Sequence, residues 1–430
     1  MSTVVKRTWR SELSSGLPRR DRASCDYEAY IPDALVGRAV TLNGQVVADV
    51  VDAETAIARF DANATALADT EALARLLLRA EAVASSKIEG LEVGGRRLLR
   101  AEAAQSLGDE PRDLTAVEIL GNIEAMTWAL QAIGPTADIT LDTLKEAHRR
   151  LLHGSHLQTM GGQIRKEQNW IGGSSSNPCS AVFVPPPAED VDRLLDDLCA
   201  FCNSEWLPAV TQAALAHAQF ETIHPFVDGN GRIGRALIHL ILRRRGLAVR
   251  VLPPISLILA TWSRDYVAGL TATRYVGAPD SRDATEGLSA WVGLFATACR
   301  RAVADAEAFE SQVSALQADW RRRLGRVRSG SAADRLINAL PGAPVVTVSG
   351  AAQLIGRTFQ AANLAIAQLE SAGIVKQINV GRRNRAFEAP ELINQFTDLE
   401  RRLASPEGTT RSTKPARAVP HITNGTPGGT

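Results

Sequence analysis

A histidine, a carboxylate and two arginines fall close together in His224 to Arg235, which reads HPFVDGNGRIGR. Two glycines, Gly229 and Gly231, separate the carboxylate of Asp228 from the guanidinium groups of Arg232 and Arg235. Glycine lets the backbone take positive φ and lets an anion reach the main-chain N–H groups. A helix starting there points the positive end of its dipole, about half a charge, at the same place. Arg232 and Arg235 are three apart, so both leave one face of such a helix and can fork onto phosphate oxygens. Asp228 offers a hard oxygen of the kind Mg²⁺ takes when substrate phosphates supply its other ligands. His224, with an ordinary imidazole pKa of about 6.5, is a general base suited to neutral pH.

These residues need elements to hold them. The run VTQAALAHAQFETI before the segment and ALIHLILRRRG after it place apolar residues at three- and four-residue spacing, which predicts two helices. Pro225, Asp228, Gly229, Asn230 and Gly231 break the pattern between them, so the segment is helix, tight loop, helix.

HPFVDGNGRIGR resembles the Fic-family signature, His-Pro-Phe-x-Asp/Glu-Gly-Asn-Gly-Arg-x-x-Arg, with every position present. The resemblance implies a mainly α fold, a helical core with a β-hairpin flap, and transfer of AMP from ATP to a Ser, Thr or Tyr hydroxyl of a target protein, the chain itself included. By the same resemblance His224 deprotonates the hydroxyl, Asp228 holds Mg²⁺, and Asn230 with the N–H groups around Gly229 and Gly231 holds α-phosphate oxygens. Arg232 and Arg235 would hold the β- and γ-phosphates, and Phe226 would anchor the loop in the core. A related branch that transfers phosphate has Lys at the second loop glycine, and Gly231 sets this chain apart from it.

A second stretch, EALARLLLRAEAVASSKIEGLEV, has helical periodicity through Leu73, Leu76, Leu77, Ala80 and Ala84, with Gly90 as a stop. Ser85 and Glu89 are four apart and share a face at its end. SSKIEG resembles the inhibitory motif of Fic proteins, Ser/Thr-x-x-x-Glu-Gly/Asn. It implies that Glu89 pairs with Arg235 where the γ-phosphate belongs. A closed state favoured by about 1.4–2.7 kcal/mol would leave about one-tenth to one-hundredth of the molecules competent. Removal of AMP, with Glu89 placing a water, is an alternative activity of the same site.

Between the two lies GGQIRKEQNWIGGSSSNPCSAVFVPPP, where Trp170 to Gly173 and Ala181 to Val184 read as a β-hairpin. In the family the equivalent hairpin is the flap, which pairs its edge with a strand of the target. Ile171, Gly172, Val182 and Phe183 are its candidate residues here. Beyond the motif, the segment resembling the family's adenine pocket has Ser263-Arg264 and a single Tyr266, which leaves base identity open.

The 430 residues, 45% hydrophobic and 22% charged, suit a soluble protein of two or three domains, and a net charge of +1 gives no chain-wide pull toward nucleic acid or membrane. No membrane span or secretory leader is expected, and a cytoplasmic location follows. The five cysteines form no even framework and read as reduced thiols, Cys199 and Cys202 as helix packing. His148, His153 and His156 lack a carboxylate at ligand spacing and read as core or surface residues.

In order, residues 1–30 read as a loosely ordered arm and 31–110 as an N-terminal helical domain with the inhibitory helix. In that domain ALVGRAV reads as a short helix and TLNGQVVADVV as a turn and extended piece. The catalytic domain and its following helices occupy 111–328, and SGSAAD at 329–334 is a linker. Residues 331–398 read as a winged helix-turn-helix, with paired helices at Thr347 to Gly356 and Arg357 to Ala372 and with Arg382, Arg383 and Arg385 at the wing tip. That unit could contact DNA or protein, so the competing reading is a DNA-binding regulator whose nucleotide site senses ATP. Residues 405–430 read as a disordered tail. The partners implied are ATP and a hydroxyl-bearing protein, with homodimerisation left open.

Overall fold

The computed structural model describes residues 1–10, 22, 24–64, 70–106, 108, 113–380 and 384–404. Helices α7 (Ala209–Ile223) and α8 (Asn230–Arg244) pack on each other at its centre. Every residue of α7 is buried, and in α8 all but Arg243, so the polar side chains of both helices, Arg232, Arg235, His217 and Glu221 among them, are held inside with the apolar ones. The 43-residue helix α11 (Arg282–Leu324) runs past α7 and along α1 (Gly44–Asn63), bringing Trp291 and Phe295 into the core. Helix α2 (Thr70–Ile88), which carries Ser85, lies against α4 (Leu114–Ala132), α8 and α9 (Ile255–Thr261). The stretch ending at Glu89 is thereby laid beside the motif helix. Asn43, Asp113, Thr140 and Ser281 each cap a helix by accepting from a free N–H of its first turn.

Several expectations are corrected. The arm at 1–30 contains an antiparallel ribbon of β1 (Thr3–Trp9) and β2 (Cys25–Ile31), while its residues 11–21 and 23 lie outside the described residues. ALVGRAV forms a turn in place of a helix. The Asn-Gly of TLNGQVVADVV is a cap where a turn was expected: Asn43 Oδ1 accepts from Val46 N at 2.9 Å and α1 starts at once. The cysteines are not all reduced, because Cys25 of β2 is bonded to Cys179, leaving Cys199, Cys202 and Cys299 free. Residues 154 apart in sequence are joined by tertiary folding alone.

The chain's last part runs α12 (Ala332–Ala339), β3 (Val345–Val346), α13 (Val348–Ile355), α14 (Phe359–Ser371), β4 (Lys376–Val380), β5 (Asn384–Glu388) and α15 (Pro390–Ala404), with sheet order β3-β5-β4. It is tied to the body by Arg100 of α3 (Gly95–Ser106), 3.1 Å from the buried carboxylate of Glu388, and by Trp320, which donates to Glu391 at 2.7 Å. The Arg382 and Arg383 of the expected wing tip and the tail at 405–430 lie outside the described residues, and Arg385 is exposed. No described helix is long and apolar enough to cross a membrane.

Candidate active site

His224 ends α7 in the left-handed region, at φ 50° and ψ 60°, its N–H donating to Phe220 O at 2.9 Å. The loop that follows is held from inside. Asn230 accepts from Phe226 N and donates to Phe226 O, both at 2.8 Å. The buried Phe226 ring stacks on His148 with centroids 3.8 Å apart. Gly162 N donates to His148 Nδ1 at 2.9 Å, so Nε2 carries the proton and donates to Asp228 O at 3.0 Å. Burial holds the His148 pKa down at about 4, in keeping with that neutral form. Gly229 opens α8 at φ 77°, and a β-carbon there would lie 2.7 Å from Leu151 Cδ2. Phe226 thus takes the anchoring place expected of it.

The cationic side faces α2. Buried Arg235 donates from Nε to Ser85 Oγ at 2.9 Å, and from Nη2 to Ser85 O at 2.8 Å and Glu89 Oε1 at 2.7 Å. A β-carbon at Gly231 would collide with that same Glu89 oxygen, so the carboxylate lies directly over the glycine bend. Arg232 donates to Asp228 Oδ2 at 2.8 Å, while its buried Nε and Nη1 have no partner among the described residues. The first turn of α8 therefore combines a dipole end, unpartnered guanidinium donors and a carboxylate already seated as an anion. Among the described residues no three His, Cys, Asp or Glu gather as a metal cage. The half-exposed carboxylate of Asp228 beside the bend is a hard oxygen that could take one position of a divalent cation.

The charges act on one another. Burial raises the Glu89 carboxyl, but the charge and hydrogen bond of Arg235, with Arg232 and His224, bring it below its ordinary value. Burial and then Arg165 push His224 down to about 4, against an upward pull from Glu89, so the imidazole is neutral at pH 7. Burial raises Glu221 to about 7, with Arg235 opposing and Glu89 reinforcing the rise.

The flap is less regular than the expected hairpin, with one bridge between Ile171 and Phe183 and Gly172 in the bend that follows. Val182 is 84% exposed, whereas Phe183 lies under the Arg274 guanidinium at 3.6 Å. Tyr30 N of β2 donates to Val184 O at 3.0 Å, so the ribbon continues the flap's edge at one point. Tyr266 is buried, its hydroxyl 2.9 Å from His217 Nε2 and its ring stacked on that histidine. His224, Gly229, Asn230, Gly231, Arg232, Arg235, Asp228, Ser85 and Glu89 are thus brought together, and the Asn230 side chain is committed to the loop itself. Four residues at the site were not foreseen: Arg165, Asn169, Glu221 and Arg274. The first two bond the loop's carbonyls from nearly sixty residues away, a contact with no periodic signature.

Residues 138–242 match the family model described as Fic/DOC family, and residues 47–131 match the Fic/DOC family N-terminal model. The Protein adenylyltransferase Fic of Drosophila melanogaster is 36% identical over 140 residues, 32% of this chain and 26% of that protein. Its namesake in Drosophila virilis is 37% identical over 140 residues, 32% of this chain and 27% of that protein. The match therefore spans about a quarter of these curated relatives. The crystal structure of a Fic family protein from Desulfovibrio desulfuricans superposes with a TM-score of 0.50 at 21% identity, covering 81% of this chain and 97% of that chain, a likeness of fold.

Proposed function

We propose that this chain, which matches the Fic/DOC family models over residues 138–242 and 47–131, is a protein adenylyltransferase that moves AMP from ATP to a hydroxyl side chain of a protein and is restrained by its own Glu89. One observation carries the proposal: an anionic carboxylate rests over Gly231 and on Arg235, where a nucleotide phosphate would rest.

In this mechanism the acceptor oxygen attacks the α-phosphorus, the bond from that phosphorus to the β-bridging oxygen breaks, and pyrophosphate leaves. Neutral His224 takes the hydroxyl proton as the new bond forms. The main-chain N–H groups of the first turn of α8 hold α-phosphate oxygens. The Asn230 amide, engaged with Phe226, keeps that turn in place. Arg232 and Arg235 hold the outer phosphates. Asp228 would hold Mg²⁺, which neutralises phosphate charge when bound. With Glu89 on Arg235 the outer phosphates lose one of their two arginines, and the α-phosphorus is turned away from attack.

The test uses labelled ATP and the purified Glu89→Gly chain. Replacing His224 by Ala in that background is expected to abolish labelling of protein while ATP still binds with unchanged affinity. Labelling that persists without the imidazole would refute the assignment.

The C-terminal unit is proposed to act as a winged helix that contacts protein. The outer face of α14 exposes Phe359 and Leu364, each 59% exposed, and the helix carries no Lys or Arg to meet phosphates.

A further inference from the structure

Four consecutive carbonyls of the catalytic turn point to one short segment. Ile223 O accepts from Arg165 Nη2 at 3.2 Å, and His224 O from Arg165 Nε at 2.9 Å and from Asn169 Nδ2 at 3.1 Å. Pro225 O accepts from Arg165 N at 2.9 Å, and Phe226 O from Asn169 Nδ2 at 3.2 Å. Arg165 is 4% exposed, and its remaining bonds go to Glu167 O at 3.1 Å and Pro186 O at 2.6 Å. A lysine could not make this set, because only a guanidinium presents donors along a planar fork.

The need for such a clamp follows from His224 itself. Its backbone is in the left-handed region that a residue with a β-carbon rarely adopts, and holds only where its surroundings over-determine it. No side chain among the described residues bonds the buried imidazole Nδ1, and the polar group that faces the ring is the backbone of Glu221. Among the described residues no carboxylate bonds this ring, as the third group of a catalytic triad would. Its aim is therefore set by the main chain, and the main chain is set by Arg165 and Asn169.

The clamp also reaches the flap. Asn169 immediately precedes Trp170 and Ile171, and Arg165 with Gln168 holds the carbonyls of Pro186 and Pro185, just past the flap's second strand. Both ends of the flap and the turn bearing His224 thus hang on residues 165–169.

We infer that Arg165 and Asn169 are positioning residues of the transfer reaction, a clamp that fixes the aim of His224 and registers it against the flap that presents the acceptor. This inference rests on the adenylyltransferase reading for its kinetic arm only. Arg165 and Arg274 face His224 as cations, and Glu89 faces it as the opposing anion, with Glu221 bonded through its backbone.

The experiment has two arms on the intact chain. In the first, histidine labelled with ¹³C at Cε1 is titrated by NMR without substrate, the His224 resonance being identified by its loss in His224→Ala. Arg165→Gln is expected to raise the His224 midpoint by about one pH unit, since a facing cation is removed. Arg165→Lys keeps the charge and is expected to leave the midpoint near its original place. In the second arm, performed with Glu89→Gly, both Arg165→Lys and Asn169→Ala are expected to lower the rate at saturating ATP about tenfold, with the ATP dissociation constant within about twofold of the parent. A destabilised fold alone would lower bound ATP and rate together, and would carry the midpoint toward the ordinary imidazole value in Arg165→Lys as well as in Arg165→Gln. An unmoved midpoint in Arg165→Gln, or a parental rate in Asn169→Ala, overturns the clamp; if Arg165→Gln does not fold, the Asn169→Ala rate decides. If the Glu89→Gly parent transfers no label while the midpoint moves as expected, adenylyl transfer falls and the clamp on His224 stands.

Discussion

Glu89 Oε1 lies 2.7 Å from Arg235 Nη2, and the same guanidinium is held by Ser85 through its hydroxyl at 2.9 Å and its carbonyl at 2.8 Å. The end of α2 and the residue that follows it therefore make three bonds to an arginine that a triphosphate would need. The carboxylate is about a third exposed, 37%, so solvent screens part of the attraction. A bias of about 1.4–2.7 kcal/mol is within reach of such a pair, and Glu89→Gly is expected to raise labelling about ten- to hundredfold. Ser85→Ala removes one neutral-acceptor bond, of about 1 kcal/mol, and is expected to raise it less than tenfold. Arg235→Ala breaks the same pair without raising activity, because the productive state loses its phosphate donor. Autoradiography of the purified variants with labelled ATP checks all three, and equal labelling of parent and Glu89→Gly would remove the inhibitory role.

Glu221 gives a pH dependence of stability that opposes the usual carboxylate trend. Its folded pKa of about 7, raised by burial, lies above the ordinary value of 4.5. The stability tied to its protonated form is complete below that ordinary value and is lost as pH rises through about 7. A group so buried is worth on the order of 3 kcal/mol over that window. The buried imidazoles of His148 and His224, held at about 4, gain stability toward pH 6.5 alike in both proteins, so the difference is what reports Glu221: Glu221→Gln, neutral at every pH, is expected to gain on the parent's urea midpoint steadily from pH 5 to 7. A difference between the two midpoints that stays constant over that range would show that another group is responsible.

The parts of this architecture that repeat were legible in the sequence. Helices α2, α7 and α8 advertise themselves by apolar spacing, and the motif between α7 and α8 places its own residues. Asn43-Gly44 misled because the dipeptide is a strong turn signal and an equally good helix start; only the bond from Val46 N decides between them. Strand β1 was hidden because its side chains are mostly exposed and show no apolar alternation. Arg165 and Asn169 were hidden for a different reason: they act on carbonyls, and a carbonyl leaves no trace in residue type.

Asp228 carries a half-exposed carboxylate beside the bend, 2.8 Å from Arg232. A site with one protein oxygen binds Mg²⁺ weakly until phosphates complete the shell. Labelling is therefore expected to stop with chelator and return with Mg²⁺. Asp228→Asn is expected to shift the half-saturating Mg²⁺ concentration upward about tenfold or more, while His224 keeps its titration. Half-saturation unchanged in Asp228→Asn would assign the metal to the phosphates alone.

Cys25 and Cys179 join the ribbon to the short turn that leads into the flap's second strand, closing a loop across a separation of 154 residues. The remaining thiols of Cys199, Cys202 and Cys299 are held high by burial and stay protonated at neutral pH. Chain unfolded in urea without reductant is expected to take up three iodoacetamide groups by intact mass, and five after reduction. Cross-links of this kind stabilise by about 2–4 kcal/mol, chiefly through the unfolded chain, so Cys25→Ser is expected to lower the urea midpoint. The ribbon would then keep the flap through the Tyr30 N to Val184 O bond and the ring contacts of Trp9 with Trp170 and Tyr30 with Phe183, without the covalent tie at Cys179, and amide exchange at Ala181 to Phe183 is expected to quicken. Uptake of five groups by unreduced protein would show the two sulfurs apart, and the flap's outer turn free of the ribbon.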